Sequence, residues 1–293
     1  MIPERKPNPY PVLAAGLASL SFAAILVRYA RAPALAIAFW RMALATLLLL
    51  PFHLGVRKDA AQVGGRPLWP FTLGAGLILA LHFTCWIASI QLTTVASSLL
   101  LMSAQPLWAA LLGFVFLKEA VPRRGAAGMV LALLGVAAIA WSDRGHGATS
   151  LLGDLLGLFS GLAAAGYLTV GRHLRLRLPL PTYLVSVYGA SALFLGLAAL
   201  GTGVPFTGYD GRTWAMLGLL ALFPSALGHS LVNYALRHIE SYRVSLSILV
   251  EPVVSSILSA LLFAEIPGAA FFPGALMIFT GVFLAMGRRA ASP

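Results

Sequence analysis

Charge is what this sequence has least of. Only 10% of its 293 residues are charged, and nine of them are acidic. Soluble domains carry about 25% charged residues. With 59% hydrophobic content, the excess apolar surface must face lipid. Cysteine is almost absent as well. A single Cys85 excludes an internal disulfide framework and a cysteine metal cluster. There is no Gly-rich phosphate loop and no stretch long enough for a soluble ATPase domain, which disfavours ATP-driven transport by this chain alone. Clustered acids, a His/Ser/Asp set or metal ligands at one membrane face are also missing. No catalytic residue, metal or cofactor is therefore expected.

The net charge of +11 would suit nucleic acid if it lay on one soluble face. Instead the basic residues sit singly or in pairs between apolar runs, as membrane topology requires. No nucleic-acid partner is expected. The first apolar run is long enough to span and many more follow, so it is not read as a cleavable signal.

About 20 apolar residues cross a bilayer as a helix. Ten runs qualify: 11–29, 32–52, 69–90, 95–117, 124–141, 151–171, 181–200, 213–236, 244–263 and 268–287. The joints between them are short and carry Pro, Gly or charge. With a cytoplasmic N-terminus, fifteen basic residues fall inside, from Arg5 and Lys6 to Arg288 and Arg289. Only Arg28, Arg31, Arg144 and Arg212 fall outside, and Arg41 lies within a span. This asymmetry puts both termini in the cytoplasm of a multi-pass cell-membrane protein, inner or plasma membrane.

The chain also reads twice. Gln105-Pro106, Glu119, Gly128 and Gly135 recur as Glu251-Pro252, Glu265, Gly274 and Gly281, each 146 residues on. Five spans in each copy is an odd number, so the second copy starts on the opposite side. The expected fold is all-α, with ten transmembrane helices arranged as two inverted five-helix repeats, 11–142 and 150–288. Transporters of that build place their site near the midplane, between the repeats.

Gln105-Pro106-Leu107-Trp108, running into Phe116-Leu117-Lys118-Glu119 and then Gly128 and Gly135, resembles the EamA pattern of the drug/metabolite transporter superfamily. Glu251-Pro252, Glu265, Gly274 and Gly281 repeat it, and Phe39-Trp40-Arg41 resembles the family's aromatic-Arg motif. The resemblance covers essentially the whole chain. It implies export of a small organic solute, with amino acids and other metabolites as typical cargo. Tyr188 stands near the position where a twin of Arg41 would fall.

Glu251 lies well inside the ninth span. An intramembrane carboxylate is costly unless paired, protonated or wet, so it is a candidate for substrate or proton binding. The alternative is that it caps backbone groups near Pro252 or pairs with Arg41. Ser247, Glu251 and Ser255 are spaced by four, as one stripe facing a cavity. Arg41 needs an anionic or carbonyl partner. It either pairs with Glu251, where a substrate carboxylate could exchange in, or holds helix ends from the bundle exterior, the reading favoured here. His82, Trp86 and Ser89 share a face of the third span, and Ser225, His229 and Asn233 share one on the eighth. These stripes suggest one cavity seen from both halves, with plain interhelical hydrogen bonding as the alternative. Gln105 answers Glu251 in the repeat, and Tyr167 is an aromatic candidate for the wall. Glu119 and Glu265 end spans and suit the N-terminus of a following helix, with gating as the rival. Pro106 and Pro252 are hinges or fixed kinks. The resulting expectation is a secondary transporter, as monomer or homodimer, with small-molecule and lipid partners and with proton or exchange coupling left open. An importer or a proton-coupled antiporter is the nearer alternative, and a membrane enzyme or scaffold the more distant one.

Reporter fusions at the two ends should both report the cytoplasm. A C-terminal fusion active on the outer side would refute the ten-span count.

Overall fold

The computed structural model describes residues 8–56, 68–93, 95–142, 151–263 and 269–286. Among these residues the chain is helical, with no strand. Seven helices are long and apolar enough to cross a membrane: Pro9–Tyr29, Ala34–Leu54, Trp69–Leu92, Ser98–Leu117, Leu151–Arg175, Leu180–Thr202 and Gly211–Ala235. Three further helical stretches occupy the remaining runs: Arg123–Ser142, the broken stretch from Ser241 to Phe263, and the shorter Phe271–Met286. Side chains such as Phe52, Phe116, Leu200, Phe272 and Phe283 stand exposed on the outer surface. Water would not tolerate so much apolar surface, but lipid does. The protein is a multi-pass membrane protein.

Several of the long helices are interrupted. The first stretch divides at Ser21-Phe22 into α1 (Pro9–Leu20) and α2 (Ala23–Tyr29). α3 (Ala34–Leu54) and α4 (Trp69–Leu92) are continuous. The fourth stretch breaks at Ser103-Ala104 into α5 (Val95–Met102) and α6 (Gln105–Leu112), then widens to a π turn over Gly113–Leu117. α7 (Arg123–Ser142), α8 (Leu151–Arg175) and α9 (Leu180–Thr202) follow. The eighth stretch runs through α10 (Gly211–Leu220), a π segment Ala221–His229 and α11 (Ser230–Ala235). The ninth breaks at Leu249-Val250 into α12 (Ser241–Ile248) and α13 (Glu251–Phe263), and α14 (Phe271–Met286) closes the described chain. The two breaks at 103–104 and 249–250 are 146 residues apart. Their local bonding matches too: Ala104 N–H donates to Leu101 O and Val250 N–H to Ser247 O. Each is the tighter i→i−3 pattern that ends a turn. Proline then follows at the second residue of the restarted helix, where its missing N–H costs no intrahelical bond. Pro106 and Pro252 therefore sit in first turns, not at mid-helix bends.

The packing is strongly paired. α7 lies on α14, α3 on α9 and α6 on α12. α4 packs on α8, while α1 packs on α11 and the π segment. α4 also touches α9, while α3 touches the π segment. Exchanging first-half and second-half elements maps the α4–α8 contact onto that of α1 with α11 and the π segment, and the α4–α9 contact onto that of α3 with the π segment. At the α7–α14 crossing, a Cβ added to Gly128 would strike Gly281 O, and one added to Gly281 would strike Gly128 O. Gly135 meets Gly274 O in the same way. Backbones this close gain dispersion contact that lipid cannot supply. Outside the spans, Asp210 caps α10: its Oδ1 accepts from Thr213 N–H at 2.7 Å. Hydrogen bonds from the Thr213 hydroxyl and from its backbone N–H hold the Asp210 carboxyl below the usual range, and an acid is favoured at this helix end.

Gly281→Val should destabilise the purified protein by about 1–3 kcal/mol, the usual range for overpacking. A thermal unfolding midpoint equal to wild type would contradict the close crossing.

Candidate functional site

The site begins with a proline. Pro224 lies inside the π segment, where carbonyls bond to N–H groups five residues on. The hydroxyl of Ser225, the next residue, also donates to Leu220 O at 2.9 Å. With its proton committed, the Ser225 oxygen accepts from Nε of Arg41 at 3.1 Å. Arg41 on α3 is thereby pinned in the interior with 0% exposure. Its guanidinium carbon stands 3.9 Å from the centre of the Phe83 ring. An Arg at a helix centre costs about 2.5–3.5 kcal/mol on insertion scales. A desolvated cation–π contact returns about 2, and a charge-assisted hydrogen bond about 1.5–3. The two are together enough to hold the charge. Nη1 and Nη2 are buried and have no hydrogen-bond partner among the described residues.

Around this cation lies an internal cavity of about 50 Å³, room for a few waters at roughly 10–15 Å³ each. Its wall includes Arg41, His82, Phe83, Trp86 and Gln105 from the first half of the chain, with Tyr167, His229 and Glu251 from the second. Leu20, Ala23, Met102, Leu168 and Val232 add apolar surface. His82 Nδ1 lies 3.1 Å from Ser160 O and 3.0 Å from Ser160 Oγ, on α8. His229 meets the Phe83 ring edge-on, with centroids 5.5 Å apart. Gln105 and Glu251 reach the cavity from the first residues of α6 and α13, immediately beyond the two breaks. Among the described residues, Arg41 and Glu251 form no ion pair within 4.0 Å.

Of the polar candidates, six line the cavity: His82, Trp86, Gln105, Tyr167, His229 and Glu251. The rest lie elsewhere. Asn233 stands behind the wall and donates from Nδ2 to Tyr167 Oη at 2.7 Å. Ser89 bonds Ser98 Oγ at 2.8 Å. Ser247 returns its hydroxyl to Arg243 O on its own helix. Ser255 donates to Ser21 O, at the break between α1 and α2. The even spacing of Ser247, Glu251 and Ser255 does not make one face, because the helix is interrupted between the first two. Arg41 corrects the exterior reading: it points inward. Phe83 carried no polar signal in the sequence. Arg175 counted there only as one of several basic loop residues. It is 2% exposed, and its Nε donates to Asn233 O at 3.1 Å.

Glu119 binds far from its own helix. Lys118 takes a left-handed φ of 58° and turns the chain after the π turn. Oε2 of Glu119 then accepts from Ser241 N–H at 3.0 Å and Ser241 Oγ at 2.9 Å, at the first residue of α12. Oε1 accepts from Arg172 Nε at 3.0 Å, near the end of α8. A Cβ on Gly113 would stand 3.0 Å from Ser241 Oγ, so the glycine leaves room for this contact. The carboxylate therefore serves the ninth span and not the next helix in sequence. Glu265 lies outside the described residues.

A bundle of apolar helices around a small, mostly apolar cavity that also holds an Arg, a Glu and two His side chains suits a membrane transporter. The EamA-like transporter family matches this chain over residues 10–141 and 151–287, and the chain belongs to that family. An uncharacterized transporter of Archaeoglobus fulgidus is 27% identical over 278 residues, 92% of this chain and 95% of its own. The pseudopaline exporter CntI of Pseudomonas aeruginosa is 27% identical over 277 residues, 91% of this chain and 92% of its own. A solved crystal structure superposes with a TM-score of 0.80 at 16% identity, over 97% of this chain and 99% of its own, which shows a shared fold. The family and these relatives are transporters, and this protein is not an enzyme.

Glu119→Ala should lower the thermal unfolding midpoint by the equivalent of about 2 kcal/mol, the scale of a lost charged hydrogen bond. Glu119→Gln keeps an acceptor for Ser241 and should lose less. Equal midpoints for Glu119→Ala and wild type would remove Glu119 from the fold's supports.

Proposed function

We propose that the protein is a secondary transporter that exports a small organic solute, such as an amino acid, across the cell membrane by alternating access. Ten spans form two inverted five-helix units, 11–142 and 150–288, with both termini in the cytoplasm, and the solute sits in the cavity between them. One observation carries this reading: the cavity joins Arg41, His82, Trp86 and Gln105 of the first half to Tyr167, His229 and Glu251 of the second. The exchange of packing pairs between halves supports it, as does the equal offset of the two helix breaks. Glu119, Arg172 and Ser241 meet in space, and the basic-residue pattern assigns all three to the cytoplasmic side. Similarity to a pseudopaline exporter favours the outward direction.

A carboxyl and two imidazoles in one cavity favour exchange of the solute for a proton. Glu251 is the proton carrier in this scheme, because it restarts a helix beside the cavity and its side chain forms no ion pair with Arg41. The first turn of α13 offers the carboxylate partial positive charge, and a nearby cation supports it further. Each of these supports makes the ionised form attainable inside the bundle, which a carrier that must release its proton requires.

Proteoliposomes loaded with candidate metabolites provide the test. Wild-type protein should move at least one saturably and faster under a pH gradient, while Glu251→Gln should transport without pH dependence or not at all. Flux absent for a broad panel of amino acids, nucleosides, sugars and cationic drugs counts against the reading. A pH profile unchanged in Glu251→Gln removes that residue from coupling.

A further inference from the structure

We propose that Phe83 is a positioning residue for proton exchange: its ring, with the Ser225 hydroxyl, holds the Arg41 guanidinium out of an ion pair with Glu251 and leaves that carboxyl able to take up and release a proton. This deepens the transporter reading and rests on its proton-exchange scheme, because it names what keeps the carrier from capture by the cation in the same cavity.

The cavity poses a problem of charge. Arg41 and Glu251 both line a space of about 50 Å³, which holds only a few waters to screen them. Arg keeps its charge in a protein, and opposite charges attract strongly where water is scarce. Each of the two groups feels the other's field. Yet, among the described residues, no ion pair joins them within 4.0 Å. Something competes for the guanidinium. Ser225 takes Nε at 3.1 Å, but Nη1 and Nη2 have no hydrogen-bond partner among the described residues, so this bond alone does not prevent the pair. The Phe83 ring supplies the rest. The guanidinium carbon stands 3.9 Å from the ring centroid, over the negative face of the ring quadrupole. That ring is itself held. It is 1% exposed, meets the His229 ring edge-on at 5.5 Å and tilts against the His82 ring at 4.9 Å. Trp86 offers no equal seat, since its ring lies 6.0 Å from the same carbon. Other groups face Glu251 across the cavity. His82 comes from α4, Tyr167 from α8 and His229 from the π segment. α1 and α2 pack on α13 and bring Leu20 and Ala23 to the wall, while α12 brings Ile248, and none of these titrates. Tyr188 on α9 reaches the same serine, donating to Ser225 O at 3.5 Å. Among all of them Arg41 alone is charged at every ordinary pH. Its distance from Glu251 therefore decides how readily the carboxyl holds a proton.

The test is an infrared titration of purified protein in lipid vesicles. The carbonyl stretch of the protonated Glu251 carboxyl is assigned by its loss in Glu251→Gln. Three forms are compared: wild type, Phe83→Leu, and protein carrying trifluorophenylalanine at position 83, which keeps the shape of the ring and weakens its negative face. A cation brought up to a carboxylate favours the charged form, so the proton then binds only at lower pH. Phe83→Leu should move the midpoint down by about one pH unit or more, the scale for a newly adjacent cation. The fluorinated ring should move it the same way by less. In an Arg41→Gln background, Phe83→Leu should move the midpoint little, because no cation remains to approach. If Phe83→Leu or Arg41→Gln fails to fold, the fluorinated ring decides alone. A fluorinated form that titrates as wild type overturns the proposal, as does a folded Phe83→Leu that does so. A downward shift that persists without Arg41 overturns it too, as does a wild-type Glu251 that shows no protonated signal at any pH the fold survives. The titration reads the carboxyl without transport, so the two readings separate. The expected shifts alongside flux that ignores pH defeat the exchange reading alone. Flux that follows pH, with identical titrations in all three forms, defeats only this proposal.

Discussion

A guanidinium enclosed among apolar helices cannot discharge itself by losing a proton, so the helices around Arg41 must be arranged to keep it. The Phe83 ring and the Ser225 hydroxyl do so from α4 and the π segment. The Ser225 hydroxyl is itself held in place, donating to Leu220 O within the π segment. A hydroxyl in one helix thus fixes the direction of a charge on another. The cavity takes its chemistry from that orientation, since two guanidinium nitrogens meet no acceptor among the described residues.

The breaks before Gln105 and Glu251 solve a related problem. A continuous helix presents side chains to the interior but keeps its amides bonded to itself. Restarting a helix inside the bundle brings first-turn N–H groups beside the cavity, with partial positive charge. Backbone irregularity of this kind survives in a membrane protein where it borders a cavity or finds a partner. Ser255 supplies one such partner by donating to Ser21 O, at the interruption in the first stretch.

Much of this was legible in the sequence. The apolar runs, the doubled motif and the EamA family were visible in it. So was a polar gathering on the third and eighth stretches, and His82, Trp86 and His229 do meet at one cavity. What the sequence hid was where helices stop being regular. Ser247 and Ser255 have the right spacing for one face, but spacing only defines a face while the turn is uniform. Arg41 looked like an exterior ligand of carbonyls because nothing local marks the Ser225 hydroxyl as its partner. Arg175 counted only as one of the basic residues on one side of the membrane, yet it is buried against Asn233 O, Leu178 O and the Tyr183 ring. Glu119 finds Ser241 at a separation of 122 residues, which no short-range pattern can signal.

The crossing of α7 and α14 has a mechanical consequence. Gly128 and Gly281 bring backbone against backbone, so no side chains lie between them to change rotamer. A contact without side chains cannot be repacked by degrees. Sliding either helix by one residue would put a Cβ beneath a carbonyl, while rocking about the contact point disturbs little. The two helices therefore behave as a pivot: they permit rotation, resist translation, and set a fixed distance about which neighbouring helices can turn.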